Sequence, residues 1–302
     1  MSARAPRLFA SLAVILVAAC GTTPAASPSQ TPSSPPASTG PTEAPSPSPV
    51  AQAQLILRIT SEGGFIGPAA NLATVPEVSV YADGRIMTPG AVDAVYPGPL
   101  LPTVDVRDVG TVGAQAIVAA IRAAGLDVGR SGTDGGVQAD TGTTVFTVTL
   151  DGSPAINRLI LGGGPPGVGG LGGSQDPLVA GALDLLSRLN DPTETWGAVS
   201  APTSQLTPVA YHVYVALGAP PADPSLLEPT LGWPLPTPLA QFGVAAVPDR
   251  GIKGLRQGAV LGADAATLGP VLAKANVLTT FSSGGMLYTL YVRPLLPDEV
   301  PV

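Results

Sequence analysis

The chain has 302 residues, a formal charge of −7, a pI near 4.6, and a single cysteine and a single histidine. An acidic balance whose only lysines are Lys253 and Lys274 offers no basic stripe, which excludes nucleic acid as an expected partner. Cys20, being alone, excludes disulfides, thiol catalysis and cysteine metal sites from the folded part, and His212, also alone, excludes a histidine-based zinc site.

The chain opens with Arg4 and Arg7 ahead of a short apolar run, residues 8–19, in which Ala18 and Ala19 lead into Cys20. This is the charge, apolar core and small-residue order of an export leader. Twelve helical residues reach about 18 Å, against a hydrocarbon core of about 30 Å, so the run is too short to span a bilayer. Val17, Ala18, Ala19 and Cys20, followed by Gly21, resemble the lipobox of bacterial lipoprotein signal peptides. The resemblance implies that residues 1–19 are removed and that the Cys20 thiol carries diacylglycerol. An ordinary signal peptide with Cys20 near the cut, or a buried N-terminal helix, are the alternatives. Two or three acyl chains, at about 0.8 kcal/mol per buried methylene, suffice for stable anchoring. The expected location is therefore the extracytoplasmic face of the cell membrane, with the membrane as partner through the lipid. Loss of Arg4 and Arg7 with the leader takes the formal charge from −7 to −9.

Residues 22–50 are almost entirely Pro, Ser, Thr, Ala and Gly, with Glu43 the one charge. Such a segment cannot bury enough apolar surface to offset its ordering entropy, which predicts a disordered stalk reaching at most about 90 Å. Order is expected from Gln54, where Leu55, Leu57 and Ile59 alternate with polar residues as in a half-buried strand. A second strand over 77–82 turns at Asp83-Gly84 into Arg85, Ile86 and Met87, a tight hairpin. The proline- and glycine-rich stretch 89–102, containing Tyr96, reads as a loop. Thr111 is the expected N-cap of a helix whose stripe is Ile117, Ala120, Ile121 and Ala124, stopped by Gly125.

A second hairpin follows, residues 143–150 turning at Asp151-Gly152 into 156–161. Asp176 and Pro177 are a cap and first-turn proline for a helix with Leu178, Ala182, Leu185, Leu186 and Leu189 on one face. Residues 202–208 read as a linker, and Val209, Tyr211, Val213, Val215 and Leu217 as one face of a strand. Beyond a proline-rich loop, 242–247 can be a strand, 263–276 a helix that Pro270 kinks or restarts, and 286–292 a closing strand.

Candidate chemistry is sparse. His212 lies mid-strand with no G-x-S-x-G serine to serve, which favours a satisfied or solvent-facing histidine. The glycine run 162–174 lacks the lysine of a phosphate-binding loop and reads as a surface excursion. Asp134 and Asp140, with Asp127 near them, are candidate calcium ligands in a glycine-rich loop, although their spacing matches no EF-hand and favours solvated turn residues. No other cofactor is expected. Arg293, with Asp298 and Glu299 in the proline-flanked tail, predicts a local ion pair that ties the tail to the sheet.

The stretches LILRI (55–59), YADGR (81–85), TVFTVTLDG (144–152) and YVRPLLPDE (291–299) resemble, in this order, those of a group of uncharacterised actinobacterial lipoproteins. The first hairpin, helix and second hairpin are also similar, more loosely, to small bacterial domains with a Y-x-x-DG turn. Neither resemblance implies an activity or catalytic residues.

The expected fold is α+β: antiparallel β-hairpins with about three helices packed on one face, whose element order suggests two tandem related modules. The expected domains are a signal peptide (1–19), the lipidated cysteine and stalk (20–53), a first module (54–192), a linker (193–206) and a second module (207–302). The expected function is a lipid-anchored envelope protein that binds or scaffolds a protein or glycan. A carboxylate-dependent hydrolase of cell-wall polymer and a small-molecule or metal-ion carrier are the alternatives.

Overall fold

The structure is a computed structural model that describes residues 53–63, 67, 69–92, 94–133, 142–150, 152–161, 176–191, 193–197, 202–218, 230–248 and 250–301. The chain divides into two units, 1–46 and 47–302, and the second holds all of these residues. Cys20, the stalk, Asp134, Asp140 and the glycine run 162–174 lie outside the described residues.

The first half runs β1 (Leu55–Glu62), a 3-10 turn (Ala70–Leu72), β2 (Val78–Tyr81), β3 (Arg85–Pro89), β4 (Val104–Asp108), α1 (Gly110–Ala123), β5 (Ser131–Thr133), β6 (Thr143–Thr149), β7 (Pro154–Ile160) and α2 (Pro177–Asn190). The second half runs β8 (Ser204–Gln205), β9 (Ala210–Leu217), β10 (Leu231–Gly232), β11 (Val244–Ala245), β12 (Arg256–Leu261), α3 (Gly262–Leu272), β13 (Thr280–Ser283) and β14 (Met286–Pro294). Among the described residues the strands form an eight-stranded sheet, β5-β7-β6-β1-β2-β3-β4-β8, and a six-stranded sheet, β10-β13-β14-β9-β12-β11. Every pairing is antiparallel except β5 with β7 and β10 with β13. The fold is α+β.

Local chemistry explains the sharp corners. In the first hairpin Gly84 has φ +97°, and Asp83 accepts hydrogen bonds from the Arg85 amide and the Arg85 guanidinium. The turn abuts the start of α1: a Cβ on Gly84 would stand 2.5 Å from the Gly110 Cα, and the Val109 amide donates to the Gly84 carbonyl. That helix begins at Gly110, one residue before the expected Thr111 cap, because Asp108 accepts from the Gly110 amide and supplies the capping oxygen from outside the helix. Asp176 caps α2 as expected, accepting from the Leu178 amide at 2.9 Å with Pro177 in the first turn. The third helix keeps Pro270 inside it, at the cost of the one hydrogen bond to the Ala266 carbonyl, and ends at Leu272, short of the expected 276.

Each sheet has a helix-bearing face. On the first, Ile117 and Ile121 of α1 and Leu178, Ala182, Leu185 and Leu189 of α2 pack on Leu57, Ile59, Val80 and Phe146. On the second, Ala265, Leu268 and Leu272 of α3 pack on Tyr211, Val213, Val215 and Val292. Among the described residues the helices thus divide two and one between the sheets.

The opposite faces exchange residues. Leu296, from the tail after β14, packs with Val75, Tyr81, Met87 and Val104 on the helix-free face of the first sheet. Leu72, from the turn before β2, packs with Ala216, Ala246 and Leu255 on the helix-free face of the second. Leu100, from the loop after β3, also enters the α3 core, and Pro99 bridges to Asn276. The expected linker 193–206 is more than a tether: Trp196 is 2 % exposed in the α1–α2 core, and Ser204–Gln205 pairs with β4 as an edge strand. An indole is too large an apolar body to leave in water when a helix pair offers cover.

Each half places a helix ahead of a closing hairpin, but among the described residues α2 has no counterpart in the second half, and the hairpins dock differently. In the first sheet the closing hairpin meets the central strand β1 through its leading strand, β6; in the second it meets β9 through its trailing strand, β14.

Candidate functional site

The helix-free faces of the two sheets border a cleft of about 680 Å³, whose wall takes residues from β1, the 71–77 segment, β9, the loop before β12, β14 and the tail. A second hollow, near Val92, Leu100 and Val277, is lined mainly by apolar side chains. The inter-sheet cleft is lined largely by polar and charged side chains.

Its inner end is a clasp. Arg58 on β1 donates to Asp298 at 2.8 Å and lies 3.6 Å from Glu299, and Arg293 on β14 donates to Glu299 at 2.6 Å. The Tyr81 hydroxyl also donates to Asp298, at 2.8 Å, and the Leu296 amide donates to Glu299, at 2.9 Å. Burial opposes ionisation of Glu299, but the hydrogen bond and charge of Arg293, the Leu296 amide and Arg58 outweigh it and hold the carboxyl below its ordinary value. Burial first, then the neighbouring carboxylate Asp298, keeps the Tyr81 phenol protonated far into the alkaline range. The expected local pairing of Arg293 with the tail is present; the tail's second partner, from the first sheet, had no local signal.

His212 is adjacent. It is 8 % exposed, stacks on Tyr214 with ring centroids 4.6 Å apart, and lies opposite Arg293 in the β9–β14 register. Its Nε2 has no hydrogen-bond partner among the described residues. Burial and the Arg293 charge lower its pKa, against weaker opposition from Glu299 and Gln257. Of the two expectations, a solvent-facing histidine is corrected and a satisfied one holds in part: alternation of β9 turns His212 and Tyr214 onto the helix-free face, where His212 is buried and hydrogen-bonded to Gln257 but keeps Nε2 unpartnered.

The outer wall differs in character. Glu77 accepts from the Ser61 hydroxyl and Glu62 pairs with Arg158 at 3.4 Å, so both carboxylates are hydrogen-bond acceptors already engaged by neighbours. Arg250 is exposed and has φ +52°, and its guanidinium has no ion-pair partner among the described residues; Asn71 is likewise exposed on the rim. A left-handed arginine is a strained backbone, and strain of this kind concentrates where a side chain must be aimed.

Of the calcium candidates only Asp127 is described, and it is exposed in the turn that follows α1. Among the described residues no three His, Cys, Asp or Glu side chains form a group that could hold a metal, and no helix is long and apolar enough to cross a membrane. No protein-family model, curated protein or solved structure matches the chain.

Proposed function

We propose that the protein is a lipid-tethered binding module of the extracytoplasmic face of the cell membrane, and that it takes its ligand in the cleft between the two sheets. The tether half of this reading rests on the leader and on Cys20, followed by a proline-rich stalk. The binding half rests on one observation: a cleft of about 680 Å³, well inside the size range of small-ligand sites, whose rim presents the polar side chains of Arg250 and Asn71.

Binding is favoured over carboxylate hydrolysis because Glu299 is held ionised by two arginines, which suits a structural anion and not a proton donor. The test has two parts. Cys20→Ala should shift the chain from the detergent phase to the aqueous phase and block maturation of the leader; unchanged partitioning removes the tether. Cross-linking in intact cells should then capture an envelope component through a photoreactive group at position 71. An exclusively self-linked product would replace ligand binding with self-association.

A further inference from the structure

The cleft's wall restricts the chemistry of its ligand. We propose that the cleft takes an uncharged, hydroxyl-rich ligand, a segment of glycan, held at its rim by Arg250 and Asn71 beside Tyr214. The inference rests on the cleft being the ligand site.

Charge is the first argument. Arg58 and Arg293 are matched by Asp298 and Glu299 in the clasp, and Arg158 is matched by Glu62. The remaining cation of the wall, Arg250, is balanced in number by the remaining carboxylate, Glu77. A wall so balanced offers a polyanion no net attraction. A phosphate group would gain Arg58 and Arg293 only by displacing Asp298 and Glu299, whose tail is anchored by the buried Leu296.

Hydrogen-bond sense is the second. The rim mixes donors and acceptors: the Arg250 guanidinium gives only donors, the Glu62 and Glu77 carboxylates keep lone pairs beyond those that Arg158 and Ser61 engage, and the Asn71 amide both donates and accepts. An unprotonated phosphate or a carboxylate can answer only the donors. A sugar hydroxyl donates and accepts at once, and pairs of neighbouring hydroxyls match the planar forks of arginine, amide and carboxylate. Tyr214 adds an aromatic surface, braced from one side by His212, beside which the apolar C–H face of a sugar ring can lie.

Arg250 supplies a clean variant. Its φ of +52° suits glycine, so Arg250→Gly keeps the loop path, relieves strain and removes the guanidinium. Asn71 is exposed, so Asn71→Ala spares the core.

The test is calorimetric titration of the full chain, held in a detergent without sugar headgroups, with cellotetraose, mannotetraose and chitotetraose, and with inorganic phosphate as comparator. The expected result is saturable binding of at least one tetrasaccharide, weakened tenfold or more by Arg250→Gly and by Asn71→Ala at an unreduced Tm, with phosphate inert. Silence from all three sugars overturns the ligand class. Sugar binding that both variants leave unchanged overturns the cleft as the site. Phosphate binding that Arg250→Gly abolishes, with the sugars silent, keeps the cleft and overturns the uncharged ligand.

Discussion

Arg58 and Asp298 lie 2.8 Å apart although 240 residues separate them, and that contact joins a strand of the first sheet to the tail of the second. Both side chains are mostly buried, at 19 % and 15 % exposed, so the pair is screened less than a surface ion pair. Arg58→Ala leaves Asp298 and Glu299 with fewer donors, and the expected loss is about 2 kcal/mol in denaturant unfolding. A double-mutant cycle with Asp298→Asn should return a coupling of about 1 kcal/mol or more. Additive losses would mean that the clasp carries no energy of its own. Tyr81→Phe, which removes only the second donor to Asp298, should cost about 1 kcal/mol.

The two Asp-Gly hairpin turns should respond differently to one extra methyl group. Gly84 and Gly152 both have left-handed backbones, with φ +97° and +87°. A Cβ at Gly152 meets no described atom within 4 Å, whereas at Gly84 it would overlap the Gly110 backbone, with the Cα only 2.5 Å away. Gly152→Ala should therefore cost about 1 kcal/mol from backbone strain alone. Gly84→Ala should cost about 3 kcal/mol, because the hairpin or the start of α1 must also move. Equal shifts in the unfolding midpoint would refute the close approach.

These turns also mark what local sequence could and could not reveal. Asp83-Gly84, the Asp176-Pro177 cap and the alternation of 143–149 are signals within a few residues, and the elements they announce are present. Several strands were not anticipated, and β4 and β12 show why. In β4, Val104 and Val106 alternate with Asp105 and Arg107 directly behind a proline-rich loop, and Arg107 is buried because it donates to the Leu189 and Asp191 carbonyls at the end of α2. In β12, a Cβ on Gly258 would stand 2.9 Å from the ring of Phe242, so the apolar alternation is interrupted for a packing reason. The candidate cleft was hidden more deeply. Its wall is assembled from both halves, and no spacing along the chain relates Arg58 to Glu299 or Arg250 to Asn71.

Acid should loosen the clasp in two stages, both of the same sign. His212, facing Arg293, Glu299 and Gln257, resists protonation in the folded state, so the unfolded chain binds a proton that the folded chain refuses as pH falls below 6.5. Stability is then full above that pH and declines below it. Glu299 is likewise depressed from 4.5, so its contribution is present above that value and is lost as pH falls through the folded pKa. Urea midpoints from pH 8 to pH 3 should fall in both windows. His212→Gln should flatten the upper one, and Glu299→Gln should reduce the lower one in part, because Asp191 and Glu194 are depressed as well. A midpoint that rises on acidification to pH 5 would contradict the burial of a neutral His212.

The exchange of Leu72 and Leu296 between the sheets predicts that the halves unfold together. Each side chain is nearly inaccessible, at 2 % and 3 %, yet each lies in the core of the half to which its own strand neighbours do not belong. Leu72→Ala and Leu296→Ala should each cost about 3 kcal/mol, the sum of lost transfer energy and the cavity left behind. Because each removes cover from a face that both halves complete, fluorescence from Trp196 in the first core and Trp233 beside the second should report one shared transition in either variant. Replacing each tryptophan in turn by phenylalanine separates the two signals. Two transitions in the unsubstituted chain, one per tryptophan, would show the sheets to be independent domains joined only by chain.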